Sequence, residues 1–186
     1  LMGWATAGFA EETPLLDVWC VDPLVKVFQD ATPAASTGVD EHVARGECAT
    51  FQLVLKPKAS LDSIVLNMSS WTHESGAFLT ATAKVRFVGY VNVDRPTQKP
   101  SADQLRQPPA DYPDVLLERE VIPMAAGAAQ PVWITVNIPL DAAPGKYTAQ
   151  VDIQVRRGDN ESTLEVPLSL MVYPVTLDKS RLWVTN

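Results

Sequence analysis

The sequence predicts an all-β, antiparallel β-sandwich of about eight strands, immunoglobulin-like or jelly-roll-like, with one long proline-rich loop. Three observations carry that expectation. Apolar and polar residues alternate at period two over several stretches, as a strand with one buried and one wet face requires. Fifteen of the 186 residues are proline, about 8% against a usual value of about 5%, and proline belongs at turns and strand edges rather than in helix interiors. No long i, i+3, i+4, i+7 apolar stripe runs along the chain, so a helical bundle is a poor candidate.

Composition narrows the function classes. With 46% hydrophobic and 20% charged residues, there is ample apolar mass for a core, which argues against global disorder. A net charge of −7 argues against nucleic-acid binding, which needs a basic face. No apolar run approaches the roughly 18 residues of a spanning helix. No repeat at about 20–50 residues points to a solenoid or propeller.

Residues 1–10 carry no charge and run into Glu11-Glu12. Gly8 and Ala10 flank Phe9 in the small-x-small pattern of a signal-peptidase site. They read as the remnant of an export signal, although the basic n-region is missing, and the plain alternative is a frayed apolar terminus. The expected location is therefore outside the cytoplasm: periplasmic, cell-surface or secreted. The sandwich is expected over 11–176.

Residues 15–21 read as the first strand and 39–43 as the second, with Val39, Glu41 and Val43 on one face. Phe51, Leu53 and Leu55 alternate with Gln52 and Lys56, while Val54 makes that strand apolar on both faces. Residues 64–68 and 83–93 add two more. The clearest alternation comes later, in Val132, Ile134, Val136 and Ile138, then Tyr147 through Val155, then Leu164 through Val172. Pro144 and Gly145 suit the central positions of a type II turn between the first two of these runs. Residues 157–160 turn between the second and third, so three consecutive antiparallel strands are expected. Between Asp94 and Asp114 lie Pro96, Pro100, Pro108, Pro109 and Pro113. This reads as an ordered excursion anchored by Tyr112 and by Val115, Leu116 and Leu117, since long loops in compact domains are usually functional or disordered.

Cys20 and Cys48 fit an oxidising compartment. A disulfide between them would close a loop of about 29 residues, worth about 3–4 kcal/mol; the other reading is two free thiols acting as small core hydrophobes. The spacing does not decide between them, because a disulfide demands a particular Cα separation.

The search for chemistry returns no catalytic, cofactor-binding or metal set. His42 and His73 have no neighbouring histidine or cysteine and read as packing or surface residues. G-x-S-x-G, G-x-G-x-x-G and G-x-x-x-x-G-K-[ST] are all missing. Asp94, Asp103, Asp111 and Asp114 line the proline-rich loop without EF-hand spacing and read as solvated acids rather than calcium ligands. Glu118-Arg119-Glu120 suggests a local ion pair, worth little if exposed. Trp71 and Trp133 are candidate sugar-stacking aromatics, weighed against ordinary packing inside the domain. Asn67-Met-Ser and Asn160-Glu-Ser are sequons that matter only in a glycosylating host.

Three segments resemble a known pattern when taken in order. Residues 44–55 (ARGECATFQLVL) resemble A-R-N/G-E-x-E-S-F-Q-L-V, residues 112–117 (YPDVLL) resemble Y-P-D-P-L-L, and residues 131–149 resemble P-V-W-V-T-V-x-V-P-x-D-A-x-P-G-x-Y-x-G. Together they resemble the N-terminal β-sandwich domain of bacterial glycoside hydrolase family 123-like proteins. Cys48 and Ala49 depart from that pattern where a bulkier residue and Glu are usual, Val115 replaces the second proline, and Ala149 replaces a glycine. The resemblance implies that a (β/α)-barrel follows and removes N-acetylgalactosamine by a substrate-assisted mechanism with an Asp-Glu pair in that barrel, an exception to the usual two-carboxylate scheme. It also implies that residues 177–186, including Arg181 through Asn186, are the linker toward that barrel. On this reading the segment is a non-catalytic accessory domain, without cofactor, whose partner is the barrel in the same polypeptide. Tyr112, Pro113, Asp114 and Leu116 would form a domain-interface or cleft loop. A free-standing carbohydrate-binding module and an adhesion or scaffold sandwich with a protein partner are the alternatives.

Overall fold

A computed structural model describes residues 15–37, 39–96 and 98–177; the expectations for 1–10 and for 178–186 lie outside the described residues. The described chain is all strand and loop, with eleven strands. They are β1 (Leu16–Val21), β2 (Asp40–Arg45), β3 (Cys48–Pro57), β4 (Leu61–Met68), β5 (Thr72–His73), β6 (Thr82–Val93), β7 (Ala110–Leu117), β8 (Val121–Met124), β9 (Gln130–Asn137), β10 (Gly145–Arg157) and β11 (Asn160–Thr176). One sheet runs β1-β3-β9-β6-β7 and the other β2-β11-β10-β4-β8, with β5 beside β10. The predicted sandwich is present. Every pairing is antiparallel except β2 with β11, which is parallel.

The alternating residues build the core. Phe51, Leu53 and Leu55 of β3 and Val132, Ile134 and Val136 of β9 face Val151 and Ile153 of β10 and Leu168 and Leu170 of β11, all essentially inaccessible to solvent. Each such side chain contributes about 1.5–3 kcal/mol by leaving water.

Two local expectations change. The run 132–138 does not form a hairpin with the next strand; β9 lies between β3 and β6 in the first sheet, and the chain crosses to the second sheet before β10. Period-two alternation marks a half-buried strand but not its neighbour. The connecting turn closes between Pro139 and Ala142 (3.3 Å) rather than at Pro144-Gly145. Gly145 instead opens β10 with φ of 140°, where a Cβ would stand 2.2 Å from Nε2 of His73. The other hairpin is as expected: Arg157 pairs with Asn160, and Gly158 takes φ of 59° as the first of two loop residues, which suits a type II′ turn.

Strands β5, β7 and β8 are not evident from alternation. β7 matters most, because it turns the expected loop at 112–117 into the edge strand of the first sheet. Pro113 is tolerated there because an edge strand leaves one side of its backbone unpaired.

Candidate functional site

The outer face of the first sheet carries the candidate site. Val54 and Trp19 point away from the main core yet are buried, at 0% and 4% exposure. They need a second cover, and residues 22–37 supply it by crossing the sheet as a strap. Trp19, Val54, Val27 and Ala129 form a separate small apolar cluster beneath it.

Polar side chains of the sheet fasten this strap. Gln52 is buried and its Nε2 donates to the carbonyls of Asp22 (3.1 Å) and Val25 (3.0 Å), using both amide hydrogens. Lys56 Nζ donates to the carbonyl of Ala31 (2.6 Å). Tyr90 Oη lies 3.2 Å from the carbonyl of Val27 and 3.1 Å from that of Ala129. Burial, and then the charge of Asp30, push the Tyr90 phenol upward, so it stays a donor. At the far end the Arg106 guanidinium sits 3.9 Å above the Phe28 ring, a cation–π arrangement. Its Nη2 donates to both carboxylate oxygens of Asp30 (2.7 and 3.0 Å), and that hydrogen bond holds the Asp30 carboxyl below its ordinary value. Tyr112 meets Phe28 edge-on at 5.4 Å and donates its hydroxyl hydrogen to the carbonyl of Arg106.

A bulge shapes the margin next to β7. Val88 pairs with Leu116 and Tyr90 with Pro113, so two residues of β7, Asp114 and Val115, oppose Gly89 alone. A Cβ on Gly89 would stand 2.6 Å from Val115 Cγ2, so glycine permits the bulge there. Bulges re-aim side chains, and here Pro113, Asp114 and Leu116 all reach one hollow. Trp133 also lines it, as do Val25, Lys26 and Gln52, around a volume of about 170 Å³. Lys26 Nζ closes the rim, 3.1 Å from the carbonyl of Pro113 and 3.7 Å from Asp114 Oδ1. This exposed ion pair is worth less than about 1 kcal/mol. At the strap's leading turn Asp22 Oδ1 accepts the N–H of Leu24 (2.8 Å), and the Leu24 side chain stands 91% exposed.

The predicted site residues therefore divide. Pro113, Asp114, Leu116 and Trp133 come together at the hollow, while Tyr112 turns toward Phe28 and Arg106. Trp71 is no sugar platform: it is 2% exposed and stacks on Phe51 at 5.7 Å in the main core. Glu118 pairs with Arg86 (3.8 Å), not with Arg119, because neighbours in a sequence alternate faces while Arg86 lies on the adjoining strand. Asp111 accepts from Asn92 Nδ2 (2.8 Å), and among the described residues no three His, Cys, Asp or Glu gather as metal ligands do. His42 Nδ1 meets Tyr173 Oη at 2.8 Å, and His73 sits between Ser75 Oγ (2.7 Å) and the carbonyl of Pro144 (3.2 Å).

The candidate disulfide is not formed. Both cysteines are free, Cys20 buried and Cys48 exposed. Cys20 pairs with Leu53 across β1 and β3, and Cys48 lies five residues further along β3, about 16 Å away at the rise of a strand. Burial pushes the Cys20 thiol up to about 11, whereas Cys48 Sγ reaches Asn137 Oδ1 at 2.9 Å on the surface. Thiolate is the reactive form, so an aromatic disulfide reagent at pH 8 is expected to titrate one thiol in the native protein and two in denaturant. Two fast thiols in the native protein would contradict this placement.

Glu41 faces inward beside Val43, at the margin of the sandwich. Burial first, and then the charge of Asp22, raise its carboxyl above the ordinary value, with His42 opposing. The folded state then binds this proton more tightly than the unfolded chain, so Glu41 weakens the fold as pH rises from about its unfolded value. Glu41→Gln is expected to raise Tm at pH 7 more than at pH 4; an equal shift at both would contradict it.

Sequence reading missed the strap and its fasteners, Lys26, Gln52, Tyr90 and the Asp30–Arg106 pair. The signal was Val54, apolar on the face that should have been wet, since a strand apolar on both faces has a layer on each side.

A family model described as "Glycoside hydrolase 123 N-terminal domain" matches residues 27–155. Among solved structures, a family 123 glycoside hydrolase from Clostridium perfringens superposes with a TM-score of 0.72 at 15% identity, over 88% of this chain and 28% of that one. This chain thus spans little more than a quarter of that hydrolase. The CooA pilin subunit of enterotoxigenic Escherichia coli, at TM-score 0.42 and 10% identity over 87% of this chain and all of that one, is a far looser match. So is a PapD-like domain of human CEP192, at TM-score 0.39 and 12% identity over 96% and 99% of the two chains. No curated protein sequence matches.

Proposed function

Because the chain belongs to the glycoside hydrolase 123 N-terminal domain family, we propose that it is the non-catalytic accessory domain of an exported glycoside hydrolase. It packs against a carbohydrate-hydrolysing barrel that follows in the same polypeptide and holds the margin of Pro113, Asp114 and Leu116 close to it. The substrate of that barrel, by the family resemblance, is a terminal N-acetylgalactosamine.

The family match over 27–155, which takes in the strap from Val27 onward, the sheet side of the hollow and strands of both sheets, carries this reading. The electrostatics of the outer face support it. Hydrolysis by paired carboxylates needs two acids about 5–10 Å apart across a sugar. Here Asp30, Asp111 and Asp114 each engage a cation or amide instead.

The test compares residues 15–177 with the full-length polypeptide on an aryl N-acetylgalactosaminide. Turnover is expected from the longer chain alone, and turnover by the segment would overturn the accessory reading. Fractionation of the native host tests export; recovery in the cytoplasm would contradict it.

A second reading, a free-standing glycan-binding module, is favoured by the partly exposed Trp133 indole beside Gln52, Lys26 and Asp114. It predicts retention of the segment on immobilised N-acetylgalactosaminyl glycan, lost in Trp133→Ala. No retention by the unaltered segment would remove it.

A further inference from the structure

The second sheet ends in an exposed apolar overrun. β10 begins at Gly145, which pairs with Val172. β11 continues past that point through Tyr173, Pro174, Val175 and Thr176 with no β10 opposite. On its other side the ladder with β2 is irregular between Val172 and Thr176, and the only resumed pairing is Thr176 with Arg45. The N–H of Leu177 then donates to the carbonyl of Arg45 (2.9 Å).

The overrun is exposed along its whole length, Pro174 and Thr176 included, and most of its side chains are apolar. Tyr173, Val175 and Leu177 recur at every second position and are 46, 55 and 49% exposed. Leu140, from the turn between β9 and β10, joins them at 60% exposure. Its Cδ2 would lie 2.7 Å from a Cβ on Gly46, and the carbonyl oxygen of Leu177 would lie 2.9 Å from the same point. Gly46, with φ of 81°, thus brings Leu140 against the backbone of the departing chain. Scattered exposed apolar residues are ordinary, but Leu140 set against the Leu177 backbone, with Tyr173 and Val175 on the strand end that leads there, gathers them at one end of the sandwich, and such a gathering marks a surface that something covers.

We infer that the end of the sandwich formed by Leu140, Tyr173, Val175 and Leu177 is the docking surface for the domain that follows in the same polypeptide. This rests on the accessory-domain reading above but moves the docking face from the margin of Pro113, Asp114 and Leu116 to the other end of the strands. A tether leaving from the middle of a patch raises the effective concentration of whatever it carries at that patch. The hollow at Trp133, by contrast, is already partly roofed by the strap, with Lys26 satisfied at its rim. Apolar docking is also the arrangement expected between domains with a fixed relative position, since small polar interfaces leave them free to move.

The experiment uses the full-length polypeptide. Lys179 and Arg181 are tryptic sites immediately beyond the patch, so docking protects them. The double variant Leu140→Asp/Val175→Asp is expected to speed cleavage there by about tenfold, because proteolysis tracks the population of the open form. Both changed residues are exposed, so the isolated segment should keep its Tm, and that melt separates lost docking from lost folding. If cleavage is unchanged in the double variant but rises in Leu24→Asp/Trp133→Ala, the domain docks on the strap face; the inference falls and the accessory reading stands. Rapid cleavage in the unaltered full-length chain would mean that the two domains do not pack, and both fall. A dimer of the isolated segment that the double variant abolishes would assign the patch to a second copy and overturn the inference.

Discussion

Phe51→Ala is expected to lower the stability of the domain by about 3–5 kcal/mol, the usual cost of emptying a fully buried aromatic site. Phe51 is inaccessible to solvent, sits on the central strand pair of the first sheet opposite Ile134, and stacks on Trp71 with an interplanar angle of 24°. The loss combines transfer of the ring to water with a cavity that strands on both sides hold open. For a domain of this size it corresponds to a fall in Tm on the order of 10 °C. Thermal unfolding followed by near-ultraviolet circular dichroism checks it. Val121→Ala, at a half-exposed position, serves as the comparison and should move the midpoint little. Equal shifts in the two variants would contradict the core assigned here.

Gln52→Leu is the second large expectation, and it acts on the strap. Leucine fills similar space but leaves the carbonyls of Asp22 and Val25 without their donor, at a cost of about 2–3 kcal/mol. Gln52→Glu should be worse, because a carboxylate presents acceptors to two acceptors. Amide exchange over residues 22–27 is expected to accelerate more than exchange in β9 or β10, which separates loosening of the strap from global unfolding. Uniform acceleration across the domain would mean that the strap and the sandwich open together.

These two neighbouring positions show how far sequence reading reaches. Phe51 was legible because period-two alternation is a direct image of the pleat: an apolar residue at every second position faces the core whatever the rest of the chain does. Its partners were not, since alternation carries no pairing information; β9 reads like the first strand of a hairpin and belongs to the other sheet. Gln52 looked like an ordinary wet-face residue. Its burial depends on a strap whose sequence, residues 22–37, has no period, because it is held by single side chains rather than by a ladder. The same holds for the hollow. The segment 112–117 and Trp133 stood out separately, but the bulge at Gly89 that unites them is a matter of register, which only pairing reveals. Trp71 shows the opposite error. A tryptophan outside regular alternation reads as a loop residue, yet the short excursion after β4 folds it into the centre of the molecule.

The parallel contact between β2 and β11 has a consequence for the order of events during synthesis. His42 lies beside Met171, so one edge of the second sheet stays unpaired until nearly the whole domain has left the ribosome. Pairings of such long sequence separation form slowly, since the intervening chain must be ordered before they are made. The hairpin of β10 and β11, local and continuous from the Gly145–Val172 pair to the Arg157–Asn160 pair, is the natural template onto which β2 adds. The first sheet can assemble earlier, because β1 and β3 are close in sequence and β9 follows β6 and β7. The sandwich therefore closes last at the β2–β11 edge, onto a second sheet whose other strands already stand.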